Sequence, residues 1–255
     1  MRMNRRAIII ESSHVAGEDD LPGARLDARN WEEFLASELG GAWDKSEIYV
    51  RHSPSSAEVR SILNIHQNDY IFLAFSGHGC ESNGRVYCCL NDKELLVDSR
   101  NLTPWLGTAV FDCCRGVPEE SGRVAVMDSC KLALANESYS VCNSARLQEI
   151  IRREVIKNTF MNNIRLSEQN HTVRMFACAK GQGADESPDA GGLYTSLLID
   201  GARERKKSFL PGIRSNVYTT YEAHMHAKTE MLTVAPQQTP EYYPDGLQYP
   251  FAILG

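Results

Sequence analysis

Asp69-Tyr70-Ile71-Phe72-Leu73-Ala74-Phe75-Ser76-Gly77-His78-Gly79 is the stretch from which the fold is read. Tyr70 to Phe75 is apolar without alternation, as expected of a strand covered on both faces of a parallel sheet. It closes on small residues around one imidazole. A second run behaves alike: Thr108-Ala109-Val110-Phe111-Asp112 reads as a buried strand and delivers Cys113-Cys114-Arg115-Gly116 at its carboxyl end. Open parallel sheets hold ligands beyond the carboxyl ends of their strands, which is where His78 and the two thiols would emerge.

Working outward, Ala7 to Glu11 reads as a first strand, followed by a polar loop to Gly23 and then Leu26, Trp31, Phe34, Leu35 and Leu39 at near-helical spacing. Glu47 to Arg51 reads as a strand, and Ser55 or Ser56 caps a helix through Ile65. Arg85 to Val97 suggests a hairpin around Asn91-Asp92, and Asn101 to Leu106 a short helix. Later come a helix over Leu147 to Phe160, a strand over Thr172 to Ala179, a glycine-rich acidic loop from Gly181 to Gly192 and a helix over Leu193 to Arg203. Asn216 to Met231 reads as the last helix and Tyr249 to Leu254 as a closing strand. Strands alternating with helices predict an α/β fold with a largely parallel sheet.

The 255 residues suit a single domain over 1–255, with a long loop or processing segment at about 117–170. A formal net charge of −6 provides no basic footprint for nucleic acid. No apolar run approaches the roughly 18 to 20 residues that span a bilayer. Arg2, Arg5 and Arg6 precede only Ala7 to Ile10 before Glu11, too short a run for a signal-peptide core, so a cytoplasmic location is expected. The eight cysteines show no C-x-x-C spacing, which suits reduced thiols; Cys88, Cys89, Cys130, Cys142 and Cys178 read as packing residues. Trp31, Trp43 and Trp105 read as core anchors, while His224 and His226, two apart in a helix, cannot share a ligand.

A thiol attacks as thiolate, so it needs an imidazole or a positive field nearby. His78, between two glycines at a strand end, is the candidate base, and the amide of Gly79 together with that of the nucleophile can hold an oxyanion. Successive strand residues face opposite sides, so only one of Cys113 and Cys114 meets His78, and spacing alone does not choose. Asp112 shares its strand face with Cys114.

These residues resemble the caspase and metacaspase family of cysteine proteases, whose caspase signature is Gln-Ala-Cys-[Arg/Gln/Gly]-Gly with a histidine upstream; here the run is Asp112-Cys113-Cys114-Arg115-Gly116 after His78. Leu21 to Ala28, Phe176-Ala177-Cys178-Ala179 to Gly192-Leu193-Tyr194-Thr195, and Gln238-Thr239-Pro240 are similar to further family segments. The resemblance implies Cys114 as nucleophile and a caspase-like three-layer sandwich, a mostly parallel sheet of about six strands flanked by helices. Where animal caspases carry an arginine that reads the substrate aspartate this sequence has Leu21, and where they carry glutamine two before the cysteine it has Asp112. Metacaspases are similar in having acids matching Asp27 and Asp112 and a serine matching Ser76, and they cleave after Arg or Lys; Ala24 replaces a cysteine of theirs. The implied partner is a protein or peptide with a basic P1 residue.

A carboxylate in a desolvated slot pairs with a guanidinium and repels an entering Asp, which agrees with that implication. Arg25 and Arg115 lie close enough in sequence to neutralise such a pocket. The chemistry needs no cofactor. Many metacaspases use calcium, for which Glu119, Glu120, Asp185, Glu186 and Asp189 are the acids at hand, but no calcium-loop motif is present and no metal is assigned. The family further implies cutting after Gly116, by the enzyme itself or by an upstream protease, with Arg123, Lys131, Arg146, Arg152, Arg153 and Lys157 as basic candidates, and a place in defence or regulated death. The rival readings are a catalytically idle caspase-like scaffold or sensor, and a small-ligand binder, which lacks G-x-G-x-x-G here.

Overall fold

A computed structural model of the chain describes residues 3–116, 143–167, 171–212 and 215–255. In chain order the elements are β1 (Arg5–Ser12), α1 (Pro22–Ala36), β2 (Ile48–His52), α2 (Ser56–Ile65), β3 (Tyr70–Gly77), β4 (Gly79–Ser82), β5 (Arg85–Cys88), β6 (Val97–Asp98) and β7 (Gly107–Asp112). They continue with α3 (Asn143–Leu166), β8 (Thr172–Phe176), β9 (Glu186–Ser187), β10 (Gly191–Gly192), α4 (Leu193–Lys207), β11 (Val217–Thr219), α5 (Thr220–Val234), β12 (Glu241–Tyr243) and β13 (Pro250–Ile253).

Six strands form the main sheet in the order β12-β8-β7-β3-β1-β2, parallel throughout except for β12 against β8. Its inner strands are the continuous apolar runs, because side chains on both pleat faces are buried. On one face Ala7, Ile9, Phe72, Ala74 and Val110 pack with Trp31 and Phe34 of α1, Phe160 of α3, Tyr194 and Leu198 of α4 and Met231 of α5. On the other, Ile8, Ile10, Leu73, Phe75 and Phe111 meet Val59 and Leu63 of α2 and Val86, Cys88 and Val97 from a small antiparallel sheet, β4-β5-β6. The Ser55 hydroxyl caps α2 by accepting from the Glu58 amide, and Pro22 opens α1, where a missing N–H costs nothing.

Four local expectations change. The hairpin turns at Asn83-Gly84, with Ser82 opposite Arg85 and both turn residues at positive φ (51° and 72°), not around Asn91-Asp92. Asn-Gly is the strongest two-residue hairpin signal, so the cue was in the sequence. Asn101 to Leu106 is not a helix; a 3-10 turn at Ser99–Asn101 precedes β7. The last helix begins at Thr220, after β11, because Thr219 and Glu222 form a capping box. Trp105 is 74% exposed and anchors no core, whereas Trp31 and Trp43 are buried. The closing strand β13 pairs with β11 and leaves β12 as the sixth strand of the sheet.

No described helix is long and apolar enough to cross a membrane. Cys130, Cys142, Glu119, Glu120, Arg123 and Lys131, and the side chain of Arg146, lie outside the described residues. Arg152, Arg153 and Lys157 sit on α3, where Arg152 pairs with Glu38, Arg153 donates to the Ala36 carbonyl and Lys157 pairs with Asp44 and Glu154.

Trp31 contacts the rings of Phe34, Phe72 and Phe251. Trp31→Ala is expected to cost about 3–5 kcal/mol in urea unfolding, and Trp105→Ala less than about 0.5 kcal/mol. Equal losses at the two positions would contradict this packing.

Candidate active site

Parallel pairing of β3 with β7 sets Ser76 beside Asp112, and His78 and Cys114 each follow that pair by two residues. Alternation then gives the two thiols opposite surroundings. Cys113 is buried with Phe75, Phe111 and Cys88, and a Cβ on Gly79 would lie 2.7 Å from its sulfur, so only glycine fits there. Cys114 is half-buried, and its sulfur accepts from the Ala184 amide at 3.4 Å. Burial pushes the Cys114 thiol up, partly offset by that amide.

The His78 Nε2 lies 2.7 Å from the Asp19 carbonyl in the loop between β1 and α1. A carbonyl only accepts, so Nε2 is the donor in this contact. The His78 carbonyl in turn accepts from the Cys89 amide at 2.9 Å, fixing the backbone on which the ring stands.

Below this level lies a group of acids. Ser76 Oγ donates to Asp27 Oδ2 at 2.5 Å, and the Gly192 amide donates to Asp27 Oδ1 at 2.8 Å. Asp112 Oδ2 accepts from the Thr195 amide at 3.0 Å and from its hydroxyl at 2.8 Å, in the first turn of α4. The two acids flank one point, since a Cβ on Gly192 would lie 2.3 Å from Asp112 Oδ2 and 2.8 Å from Asp27 Oδ2. Burial raises the Asp112 carboxyl to about 6 against the bonds from Thr195. Burial and then the charge of Asp112 drive Asp27 upward as well. Asp27 and Asp112 are both buried.

Neither acid has a cationic partner among the described residues. Arg25 instead donates to Ser13 Oγ. Arg115 donates to Glu81 from Nε at 2.9 Å and from its terminal nitrogen at 2.5 Å, to the Cys178 carbonyl at 2.9 Å and to Glu241, and stacks over Phe176. Neither of the two arginines that could have neutralised the pocket is bonded to these acids: Arg25 is directed to Ser13, and Arg115 to Glu81, Glu241 and the Cys178 carbonyl. Arg115 ties the loop after the thiols to β4 and to the edge strand β12.

Of the acids weighed for calcium, Asp185 accepts from Gln237, while the Glu186 carboxylate lies against Gly23 at the start of α1, where a Cβ would stand 2.7 Å from its Oε2. Among the described residues no three ligating side chains are grouped for a metal. The sequence reading missed Thr195 and Gly192 as partners of the acids; the signal was the Gly192-Leu193-Tyr194-Thr195 run, quoted there only as a family likeness.

A family model described as Caspase domain matches residues 4–251. No curated protein sequence matches the chain. Among solved structures, caspase-1 from Spodoptera frugiperda superposes with a TM-score of 0.57 at 13% identity, over 94% of this chain and 88% of that one, a likeness of fold.

Removing one partner of a buried ion pair leaves the other charge uncompensated. Arg115→Met is expected to cost about 3–5 kcal/mol in denaturant unfolding, and Glu81→Gln added to it to restore part of the loss. A single variant within about 0.5 kcal/mol of wild type would show that the pair carries little.

Proposed function

The chain belongs to the caspase domain family, and on that premise we propose that it is a cysteine endopeptidase that cleaves after Arg or Lys. Cys114 is the nucleophile. As its sulfur attacks the scissile carbonyl carbon, the thiol proton passes to Nδ1 of His78, and the amides of Gly79 and Cys114 hold the oxyanion. Collapse breaks the C–N bond while His78 returns the proton to the leaving amine. Water, deprotonated by the same ring, then hydrolyses the thioester and regenerates the thiol. The Asp19 carbonyl is the group that orients the imidazole and stabilises its charged form.

The observation that carries the specificity is the Asp27–Asp112 pair, two buried carboxyls at the foot of the nucleophile strand with no cation of their own among the described residues. Burying carboxylates without a counter-charge is costly, and burial accordingly raises both groups. A P1 guanidinium or ammonium supplies the missing charge, with Ser76 holding Asp27 in place. An aspartate side chain would meet like charge.

Cys114→Ala is expected to abolish cleavage of a peptide library, by at least about 1000-fold, while Cys113→Ala keeps its P1 pattern. An electrophilic peptide ending in Arg should label Cys114; failure to label folded, processed protein would favour the idle scaffold. A library preference for P1 Asp would refute the acidic pocket.

A cation pairs with the ionised acids, and these have raised values, about 6 for Asp112. The KM for a P1-Arg peptide should therefore fall as pH rises from about 5 to 8 and level off above. Weaker binding at the higher pH would reverse the sign and remove the pair from P1 recognition.

A further inference from the structure

We propose that the cavity beside the small β4-β5-β6 sheet is a binding site for an organic phosphate, a small molecule that joins a phosphate group to an apolar or aromatic one. The cavity holds about 630 Å³, within the roughly 300–1,000 Å³ of small-molecule sites, and none of its lining residues belongs to the active site described above. Strand alternation supplies part of the lining. Val86 and Cys88 of β5 point into the cluster with Phe75, so Arg85 and Tyr87 stand on the outer face, and Asp98 of β6 lies opposite Tyr87. Lys93 and Leu96 join from the loop between β5 and β6, and Arg100 from the 3-10 turn after β6.

In a chain of net charge −6, three cations line this one cavity. The two carboxylates beside them do not neutralise them all. Glu94 is spent on the start of α2, where it accepts from the amide and the hydroxyl of Ser56. Asp98 is held by Arg100, through Nε at 3.0 Å and a terminal nitrogen at 2.5 Å, while Arg85 only approaches it, at 3.9 Å. Among the described residues the Arg85 guanidinium makes no hydrogen bond, and the Lys93 ammonium has neither a hydrogen bond nor an ion pair. Two cationic groups therefore keep their donors for a ligand.

A guanidinium fork and an ammonium point charge together select an anion with several oxygens. A phosphate monoester carries up to two charges and three terminal oxygens, enough to meet both at once, whereas a carboxylate brings a single charge. Leu96, 63% exposed, and the ring of Tyr87 line the same cavity and give an apolar group on the ligand a surface to cover. The site is separate from the peptidase reading, and its readout is binding, so neither depends on the other.

The test is titration calorimetry of the full chain at fixed ionic strength with two probes, inorganic phosphate and phenyl phosphate. Phenyl phosphate should bind the wild type with Kd on the order of 1 mM or below, and more tightly than inorganic phosphate. Lys93→Gln and Arg85→Gln should each weaken both probes about 10-fold, and Leu96→Ser should weaken phenyl phosphate about 3-fold while leaving inorganic phosphate within about 2-fold. Arg203→Gln removes a cation of α4 that pairs with Asp200 outside the cavity, and should change neither. If Arg85→Gln does not fold, Lys93→Gln, which has no ion pair to lose, carries the charge test. Equal weakening by Arg203→Gln would mark a general attraction of anions and overturn the site. No binding of phenyl phosphate up to about 10 mM, or unchanged affinity in the Lys93 and Arg85 variants, overturns it too. A Leu96→Ser variant that weakens both probes alike, or neither, overturns the organic part of the ligand.

Discussion

The in-register pairing of β3 with β7 is the constraint from which the rest follows. Because Ser76 lies beside Asp112 in neighbouring parallel strands, His78 and Cys114 each follow that pair by two residues, beyond the carboxyl ends of β3 and β7. A slip of one residue in either strand would turn every side chain of that strand over. Cys113 would then replace Cys114 on the α1 side, and Asp112 would face the cluster that now holds Phe111 and Phe75. The large apolar side chains on both faces of β3 oppose the slip, so packing far from the site keeps Cys113 in the cluster with Phe75 and Phe111.

The second theme is charge left uncompensated by the protein. The chain satisfies its other buried acids in ordinary ways: Glu81 has Arg115, and Glu11 has the Ser13 amide and His52. Asp27 and Asp112 receive only neutral donors, Ser76, Gly192 and Thr195. Neutral hydrogen bonds and the start of α4 offset part of the desolvation cost. The rise of both carboxyls expresses the remainder.

The central strands and the two polar runs at their ends were legible because a strand buried on both faces must be apolar throughout, so Tyr70 to Phe75 and Thr108 to Phe111 admit few other readings. Asp112 was legible by strand alternation from Cys114. The partners of the acids were less so, since Gly192 and Thr195 meet Asp27 and Asp112 only after distant parts of the chain have folded together. Trp105 misled because hydrophobicity says what can be buried, not what the topology leaves uncovered. Asn83-Gly84 and Thr219 with Glu222 were readable signals, outweighed by longer apolar patterns beside them.

The anchoring of Arg115 bears on what a cut further along would do. Its amide donates to the Gln182 carbonyl, its carbonyl accepts from Gly181, and the Gly116 carbonyl accepts from Glu81, so the chain is fastened on both sides before residue 117. Scission between Gly116 and Asn143 would divide the sheet into one fragment carrying β1, β2, β3 and β7 and another carrying β8 and β12. The seam between them is the β7–β8 ladder in the middle of a buried layer. Two such polypeptides would persist as a single noncovalent body, with the sulfur on the first and Thr195 on the second, so neither alone would hold a complete cleft.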